Sequence, residues 1–357
     1  MGKTTIGIKI ILILALINIF CITYSNSIKD SNGDVSSHIP ESCTIFTATI
    51  GEKVYFGNNE DYLYDETYVW LIPSQERYTQ GEYKQINGAI FFGFDNTDDN
   101  YVDGFPQGGM NDKGLCYDGN GLPPTPINYT PGYSYPYTHP FYEILWDYST
   151  VNETIEWFST HYFGVNMECQ LHFADAVGDA IVVSVDADGN FAFTRINDSS
   201  YLVSTNFNLA NIANGWYPCQ RYAIASSMLG NIATEDNLTI EACRDVLDAV
   251  HNEGEYRTRY SNVFDLINQD IYIYHDRNYD RVAQLSLAEE LAKITQDTDG
   301  VEIFNGVYFT STRIADLMID STNSVPVYSI ILMASLAGIT IISTRLFVKS
   351  KHKSKKL

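Results

Sequence analysis

Several stretches of the chain alternate hydrophobic and polar residues, which is the pattern of half-buried β-strands. Residues 44–50 (TIFTATI) and 53–59 (KVYFGNN) flank a Gly-Glu turn and predict a hairpin. Residues 172–195 alternate around Gly178 and again around Asp188-Gly189, which predicts further hairpin pairing. Additional strands are predicted over residues 89–94, 113–117 and 260–275.

Helices are predicted in two pairs between the strands. The first pair lies between His139 and Tyr162, and its second helix opens at Thr150 with Glu153 three residues later. This spacing is the pattern of a capping box. The second pair is predicted over residues 219–232 and 239–252.

A last helix is predicted over residues 286–295, with Ser286 and Glu289 as its capping pair. Strand pairs alternate with helix pairs, and no linker is longer than a loop. The pattern therefore predicts one α+β domain over residues 43–320, in which layers of sheet are covered by helices on both sides.

The first 25 residues have the anatomy of a secretory signal peptide. Lysines precede a mostly apolar run over residues 10–22, and small residues follow it. The alternative is an uncleaved anchor, but thirteen residues would barely cross a hydrocarbon core of about 30 Å. We therefore expect cleavage. Residues 26–42 are polar and rich in Ser, Asn and Asp, which predicts a flexible leader.

The other end of the chain predicts a membrane anchor. After a short linker at 321–326, residues 327–348 are apolar except for Arg345, and residues 349–357 are rich in lysine. The alternative is a buried core helix, but no polar stripe runs along this stretch. The positive-inside rule places the basic tail in the cytoplasm. We expect a single-pass protein of the cell membrane with an extracellular or lumenal N-terminal domain.

The charge of the chain excludes one class of partner. The formal net charge is −22, and eight of the 22 basic residues lie outside residues 26–344. That body therefore holds 14 basic against 44 acidic residues, a net charge of −30. Such a field repels phosphate backbones and anionic lipid headgroups, so nucleic-acid binding is not expected.

The cysteine count predicts one unpaired thiol. An exported chain without its signal keeps five cysteines in an oxidising compartment, so four are expected to pair. They are Cys43, Cys116, Cys169, Cys219 and Cys243. No cluster has metal-ligand spacing, and no nucleotide or flavin signature appears, so no cofactor is predicted. Glycosylation sequons lie at Asn128, Asn152, Asn197 and Asn237.

Cys43 is the candidate nucleophile. If the leader is cut between Ser42 and Cys43, the thiol and a free α-amine belong to the same residue. An α-amine has a pKa near 8 and can act as the base for its own side chain, so no histidine is needed. From composition alone, a disulfide partner or a buried apolar residue would be the more ordinary interpretation of Cys43.

A series of motifs supports the catalytic interpretation. The motifs are SCTIF at 42–46, FGNNED at 56–61, GMNDKGL at 109–115, ADAVGD at 174–179, STNF at 204–207 and QRY at 220–222. In this order, they resemble the choloylglycine hydrolase branch of the N-terminal-nucleophile hydrolases, which includes bile salt hydrolases, penicillin V acylases and acid ceramidase relatives. The resemblance implies a four-layer αββα sandwich and hydrolysis of linear amides.

The resemblance also implies roles for individual residues. Cys43 would be the nucleophile and the new N-terminus, and Asp61 would orient its α-amino group. Arg221 would support the charge balance near the thiolate, and Asn206 would donate its side-chain amide to the oxyanion. An amide carbonyl that becomes an alkoxide needs such preorganised donors.

Two positions differ from the family pattern. Asn120 is the candidate second oxyanion donor, although the family asparagine falls one residue later, at Gly121. Asn58 stands where many relatives have arginine, so a positive charge is missing beside the thiol, and Asn58 is a candidate substrate contact. Without the motifs, Asp61 and Asn206 would be interpreted as turn residues.

The sequence thus predicts a cysteine-dependent hydrolase that cleaves small-molecule N-acyl amides through an acyl-enzyme. An acyltransferase would use the same residues and remains an alternative. A second alternative, from another class, is a non-catalytic surface recognition protein anchored in the membrane.

Overall fold

The structure is a computed structural model that describes residues 43–63, 67–94, 105–128, 130–293, 309–310 and 319–320. The predicted signal peptide, leader and membrane anchor lie outside these residues. Within the described ranges, no helix is both long and apolar enough to span a membrane.

Strands contain more of the described residues than helices do. In chain order they are β1 (Thr44–Ile50), β2 (Lys53–Asp61), β3 (Tyr68–Ile72), β4 (Gln75–Thr79), β5 (Glu82–Ile86), β6 (Ala89–Phe94), β7 (Phe105–Asn111), β8 (Cys116–Pro126), β9 (Asn166–Ala174), β10 (Ala180–Val185), β11 (Phe191–Arg195), β12 (Tyr201–Ser204), β13 (Thr258–Asp265), β14 (Asp270–His275), β15 (Arg281–Ser286), β16 (Phe309–Thr310) and β17 (Ile319–Asp320).

The helices are short. They are α1 (Pro140–Asp147), α2 (Val151–Thr160), α3 (Gln220–Gly230), α4 (Ile240–Ala249) and α5 (Leu287–Ala292), with one 3₁₀ turn at Glu235–Asn237.

The strands form two large antiparallel sheets. The first sheet has the order β12-β1-β2-β13-β14-β15-β17, and the second has the order β11-β10-β9-β8-β7-β6-β3-β16. A separate hairpin pairs β4 with β5. In the first sheet β1 lies between β12 and β2, so the strand that follows Cys43 has a partner on each side.

Side chains from the two sheets meet in a shared interior. Thr47 Oγ1 on the first sheet lies 3.0 Å from His172 Nε2 on the second. Phe56 stacks on Phe264 of its own sheet, with ring centroids 5.9 Å apart, and meets the His172 ring edge to face. Burial of such aromatic groups between the sheets is a large apolar contribution to the stability of the domain.

Helices cover the outer faces of both sheets. Helices α3 and α4 pack on β1, β2, β12 and β13 of the first sheet, while α1 and α2 contact β7 and β11 of the second. The described residues therefore form four layers in the order α-β-β-α, as the sequence predicted.

Most predicted elements are present. The first hairpin forms with the expected partners, and residues 166–195 form three strands with turns at Gly178 and Gly189. The capping box at the start of α2 is confirmed, because Glu153 N donates to Thr150 Oγ1 and Thr150 N donates to Glu153 Oε2.

Two predicted element boundaries are wrong. The strand expected over 113–117 begins only at Cys116, because Asn111 Oδ1 accepts hydrogen bonds from the backbone N–H groups of Lys113 and Leu115 and closes a turn. The side chain of Ser286 makes no capping hydrogen bond to α5. Ser286 instead ends β15 and pairs with Asp270.

The expected disulfides are absent from the described residues, where none of the five cysteines is in a disulfide. Cys116 and Cys169 lie on adjacent strands, but the register pairs Cys116 with Ala174 and Cys169 with Gly121. This offset of five residues separates them by about 16 Å along the strands, far beyond the reach of a disulfide. The expected pairing of four cysteines was therefore wrong.

Candidate active site

Cys43 lies at the start of β1, inside the first sheet. Thr44 pairs with Asn59 in the β1–β2 register, so Cys43 stands opposite the end of β2. Its Sγ lies 3.7 Å from Glu60 Oε1 and 4.0 Å from the backbone oxygen of Asp61. The Cys43 residue is only 4% exposed, so few water molecules can screen the neighbouring charges.

Arg221 connects Cys43 to Asn206. Its Nη1 donates to the Cys43 carbonyl oxygen at 2.7 Å and to Thr44 Oγ1 at 2.8 Å, and its Nη2 donates to Asn206 Oδ1 at 3.0 Å. Arg221 is the second residue of α3, which packs on β1 and β12. This packing brings together three predicted site residues that are far apart in the sequence.

Asn206 follows β12 and is buried. Because Arg221 donates to its oxygen, the orientation of the amide is fixed, and Nδ2 donates to the Gly121 carbonyl oxygen at 3.1 Å. An amide nitrogen has two hydrogens, so Asn206 can offer one further hydrogen bond.

Asp61 and Asn120 are also buried. The Asp61 carboxylate accepts a hydrogen bond from Thr258 Oγ1, which lies on the neighbouring strand β13. Asn120 lies on β8 opposite Gln170, and neither polar atom of its side chain has a hydrogen-bond partner in the described structure. A buried amide without partners is uncommon, so Asn120 is available to a ligand.

Asn58 contacts a carboxylate that sequence reasoning missed. Its Nδ2 donates to Asp118 Oδ2 across the two sheets at 2.8 Å, and its Oδ1 has no partner among the described residues. Burial raises the pKa of Asp118 well above its ordinary value, although the Gly119 N–H partly opposes the shift. A Cβ at Gly108 would overlap Asp118 Oδ2, so glycine at 108 leaves room for this carboxyl group.

Glu60 was also missed as a site residue. It lies inside the FGNNED motif, so its proximity to Asp61 was visible, but the sequence did not show that its side chain contacts the thiol. The corresponding signal for Asp118 was its position three residues after the GMNDKGL motif, in a strand of otherwise uncharged residues.

The expected thiolate at Cys43 depends on a free α-amine, which the chain does not have before the leader is removed. Burial raises the pKa of the Cys43 thiol well above its ordinary value, and the charges of Glu60 and Asp61 raise it further. The nitrogen of Cys43 is an amide in this chain and carries no positive charge. The thiol is therefore protonated at neutral pH in this form.

The comparisons with known proteins concern the fold. No protein-family model and no curated protein matches the chain. Among solved structures, a mutant conjugated bile acid hydrolase from Clostridium perfringens is 16% identical, with a TM-score of 0.51 over 75% of this chain and 96% of the other. Penicillin V acylase from Agrobacterium tumefaciens is 15% identical, with a TM-score of 0.53 over 78% of this chain and 98% of the other. The chain therefore has the fold of conjugated bile acid hydrolase and penicillin V acylase, the two kinds of enzyme that its motifs resemble.

Proposed function

We propose that the protein is a hydrolase of linear carbon-nitrogen amide bonds that uses Cys43 as an N-terminal nucleophile. The observation that carries the proposal is the Arg221 guanidinium, which joins Cys43 to Asn206. Further support comes from the fold, which is that of an acylase and a conjugated bile acid hydrolase.

The proposed reaction needs a free α-amine at Cys43. Removal of the leader turns the amide nitrogen of Cys43 into an amine, which accepts the thiol proton. The thiolate then attacks the substrate carbonyl carbon, the amine product leaves with a proton, and water hydrolyses the thioester. Asp61 holds the α-amino group, and the second N–H of Asn206 is a donor for the oxyanion, with Asn120 as its partner donor.

We further propose that residues 43–320 form the catalytic domain of a single-pass protein of the cell membrane. In this arrangement residues 1–25 and 26–42 are removed, and residues 327–348 anchor the domain outside the cell or in a lumen. Protease treatment of intact cells should then digest an extracellular domain and spare the basic tail at 349–357. In cells whose plasma membrane alone is permeabilised, protease should remove the tail and spare a lumenal domain. Digestion of the domain and the tail from the same side of the membrane would contradict this topology.

The proposed chemistry is tested on the full chain and on Cys43→Ala. N-terminal mass analysis should find a mature protein that begins at Cys43. Incubation with a panel of N-acyl amides should release the amine and leave a transient acyl group on Cys43, and Cys43→Ala should do neither. An intact leader on fully active protein would contradict the mechanism, and the absence of turnover would favour a recognition protein. Acyl transfer to an added amine in preference to water would identify an acyltransferase.

A further inference from the structure

Carboxyl groups lie close to the thiol of Cys43. Glu60 Oε1 is 3.7 Å from Sγ, and Glu60 is 2% exposed. Asp118 is fully buried and accepts a hydrogen bond from Asn58 Nδ2 at 2.8 Å. Because the surroundings exclude water, charges here interact more strongly than charges at a protein surface.

Polar atoms without partners lie on the same face of the first sheet. The β2–β13 register pairs Glu60 with Tyr260 and Asn58 with Asn262, and paired residues of antiparallel strands share a face. In the described structure, the Tyr260 hydroxyl, Asn58 Oδ1 and the whole Asn262 amide have no hydrogen-bond partner. All three side chains are at most 3% exposed. Buried polar groups almost always have partners, so these atoms indicate that a polar ligand group belongs among them.

An acyl group attached to Cys43 would begin beside Glu60, because Sγ lies 3.7 Å from Glu60 Oε1. The carbonyl carbon would be bonded to Sγ, and a substituent on the α-carbon would be only two bonds farther away. A negative charge on this substituent would be repelled by Glu60, whereas a positive charge would be attracted. An ammonium group carries three N–H donors, and Glu60, Asn58 Oδ1 and the Tyr260 hydroxyl supply acceptors.

We propose that Glu60 makes the site selective for acyl groups that carry a free α-ammonium, so that the substrates are aminoacyl amides. This inference rests on the proposed amide hydrolysis and narrows its substrate class. Asn58 contributes in two ways. Its Oδ1 supplies an acceptor for the substrate ammonium. Because Asn58 stands where the family pattern has an arginine, no guanidinium at this position competes with that ammonium.

Three 4-nitroanilides that differ in one group test the proposal. In X–CH₂–CO–NH–C₆H₄–NO₂, the group X is an ammonium, a methyl or a carboxylate, which gives the glycine, propionic acid and malonic acid derivatives. The purified full-length protein, processed by the cells that produce it, should prefer the glycine derivative over the propionic one by about 30-fold in kcat/KM. The malonic derivative should be the poorest of the three.

The Glu60→Gln variant keeps the shape of the side chain and removes its charge. Its ratio of kcat/KM for the glycine and propionic derivatives should fall to within about threefold of unity. Both kcat/KM values are measured on the same sample, so the folded fraction of the variant divides out of their ratio. A general loss of reactivity at Cys43 would lower both values equally and would also leave the ratio unchanged. The matched control is Glu76→Gln in the β4–β5 hairpin, where an exposed carboxylate is removed and the wild-type ratio should remain.

The outcomes separate this inference from the proposed function. Equal turnover of the glycine and propionic derivatives by the wild-type protein would overturn the inference and leave amide hydrolysis in place. An unchanged ratio in Glu60→Gln would also overturn it. If none of the three compounds were cleaved in a reaction that depends on Cys43, both the proposed function and the inference would be wrong.

Discussion

We propose two separable roles for Asn206, one in the chemistry and one in the packing. We expect Asn206→Ala to lower the single-turnover rate by about 100-fold, because it removes a donor from the oxyanion site. The same change should lower the free energy of unfolding by about 1–2 kcal/mol, because Arg221 loses its acceptor and Gly121 loses a donor. Single-turnover kinetics and urea unfolding on the same samples measure both effects.

Asn208 supplies the matched control for Asn206. It lies two residues away and is equally buried. Its Nδ2 donates to the Val185 carbonyl oxygen, and its Oδ1 accepts hydrogen bonds from the backbone N–H groups of Ala210 and Asn211. Asn208→Ala should destabilise the protein to a similar extent but keep the rate per folded molecule. If Asn206→Ala also kept its rate, the oxyanion role would be wrong.

We expect the contact between Asn58 and Asp118 to affect the pH at which Cys43 reacts. In Asn58→Arg, a guanidinium would replace the amide beside Asp118, and its positive charge would favour the thiolate. We therefore expect the midpoint of the pH profile for alkylation of Cys43 by iodoacetamide to move to lower pH.

Asp118→Asn tests the same electrostatics without a larger side chain. The Asp118 charge contributes to the raised pKa of Cys43, so its removal should also lower the alkylation midpoint. Glu76→Gln, at an exposed position, should leave the midpoint unchanged. Identical profiles for wild type and both site variants would contradict the interpretation of these charges.

The sequence could predict the site residues that belong to ordered motifs, but not the side chains that surround them. Cys43, Asp61, Asn206 and Arg221 were identified through their motifs. Glu60 was not, because a charged residue near the end of a strand is ordinarily solvent-exposed. Its position is set by pairing of β2 with β1 and β13, and β13 lies about 200 residues later in the chain.

At the scale of elements, His172 links β9 to the facing sheet. Its ring lies between Thr47 Oγ1 and Ser204 Oγ, at 3.0 Å from each. Burial lowers the pKa of His172 to about 3, whereas an unfolded histidine has a pKa of about 6.5. Between these values the unfolded chain binds a proton that the folded chain does not bind. His172 therefore reduces the stability as the pH falls below 6.5.

We expect the His172 contribution to cost about 2 kcal/mol of unfolding free energy at pH 5 relative to pH 7. Urea unfolding at both pH values should show that His172→Gln loses about this much of the pH dependence. Asn208→Ala, which removes buried hydrogen bonds but no titratable group, is the control and should keep the wild-type difference. If the unfolding free energies of His172→Gln and the wild type had the same pH dependence, His172 would not be buried in its neutral form.

Most elements with local signals were predicted correctly, and their arrangement was predicted only in outline. The capping box of α2 and the β1–β2 hairpin depend on residues within a few positions of one another. The pairing of β2 with β13 and the edge positions of β16 and β17 depend on contacts between distant segments. No local pattern encodes such pairings, so the sequence could indicate layers of sheet but not the strand order.

At the scale of the whole molecule, the five free cysteines change the expected redox behaviour. Protein unfolded in urea without a reductant should be alkylated at all five positions from Cys43 to Cys243. Peptide mass mapping of samples alkylated with and without prior reduction measures the alkylation at each of the five positions. Positions that are alkylated only after reduction would reveal disulfides and contradict the structure.

The position of β1 between two other strands has a consequence for the durability of a mature protein that begins at Cys43. Chain ends usually fray, and exopeptidases start from frayed ends. A chain that begins at Cys43 would instead start within a sheet, between β12 and β2, with its first carbonyl bonded to Arg221. An aminopeptidase would have to detach this strand from both neighbours before it could remove a single residue. The same sheet that positions the nucleophile would therefore protect the new N-terminus from trimming.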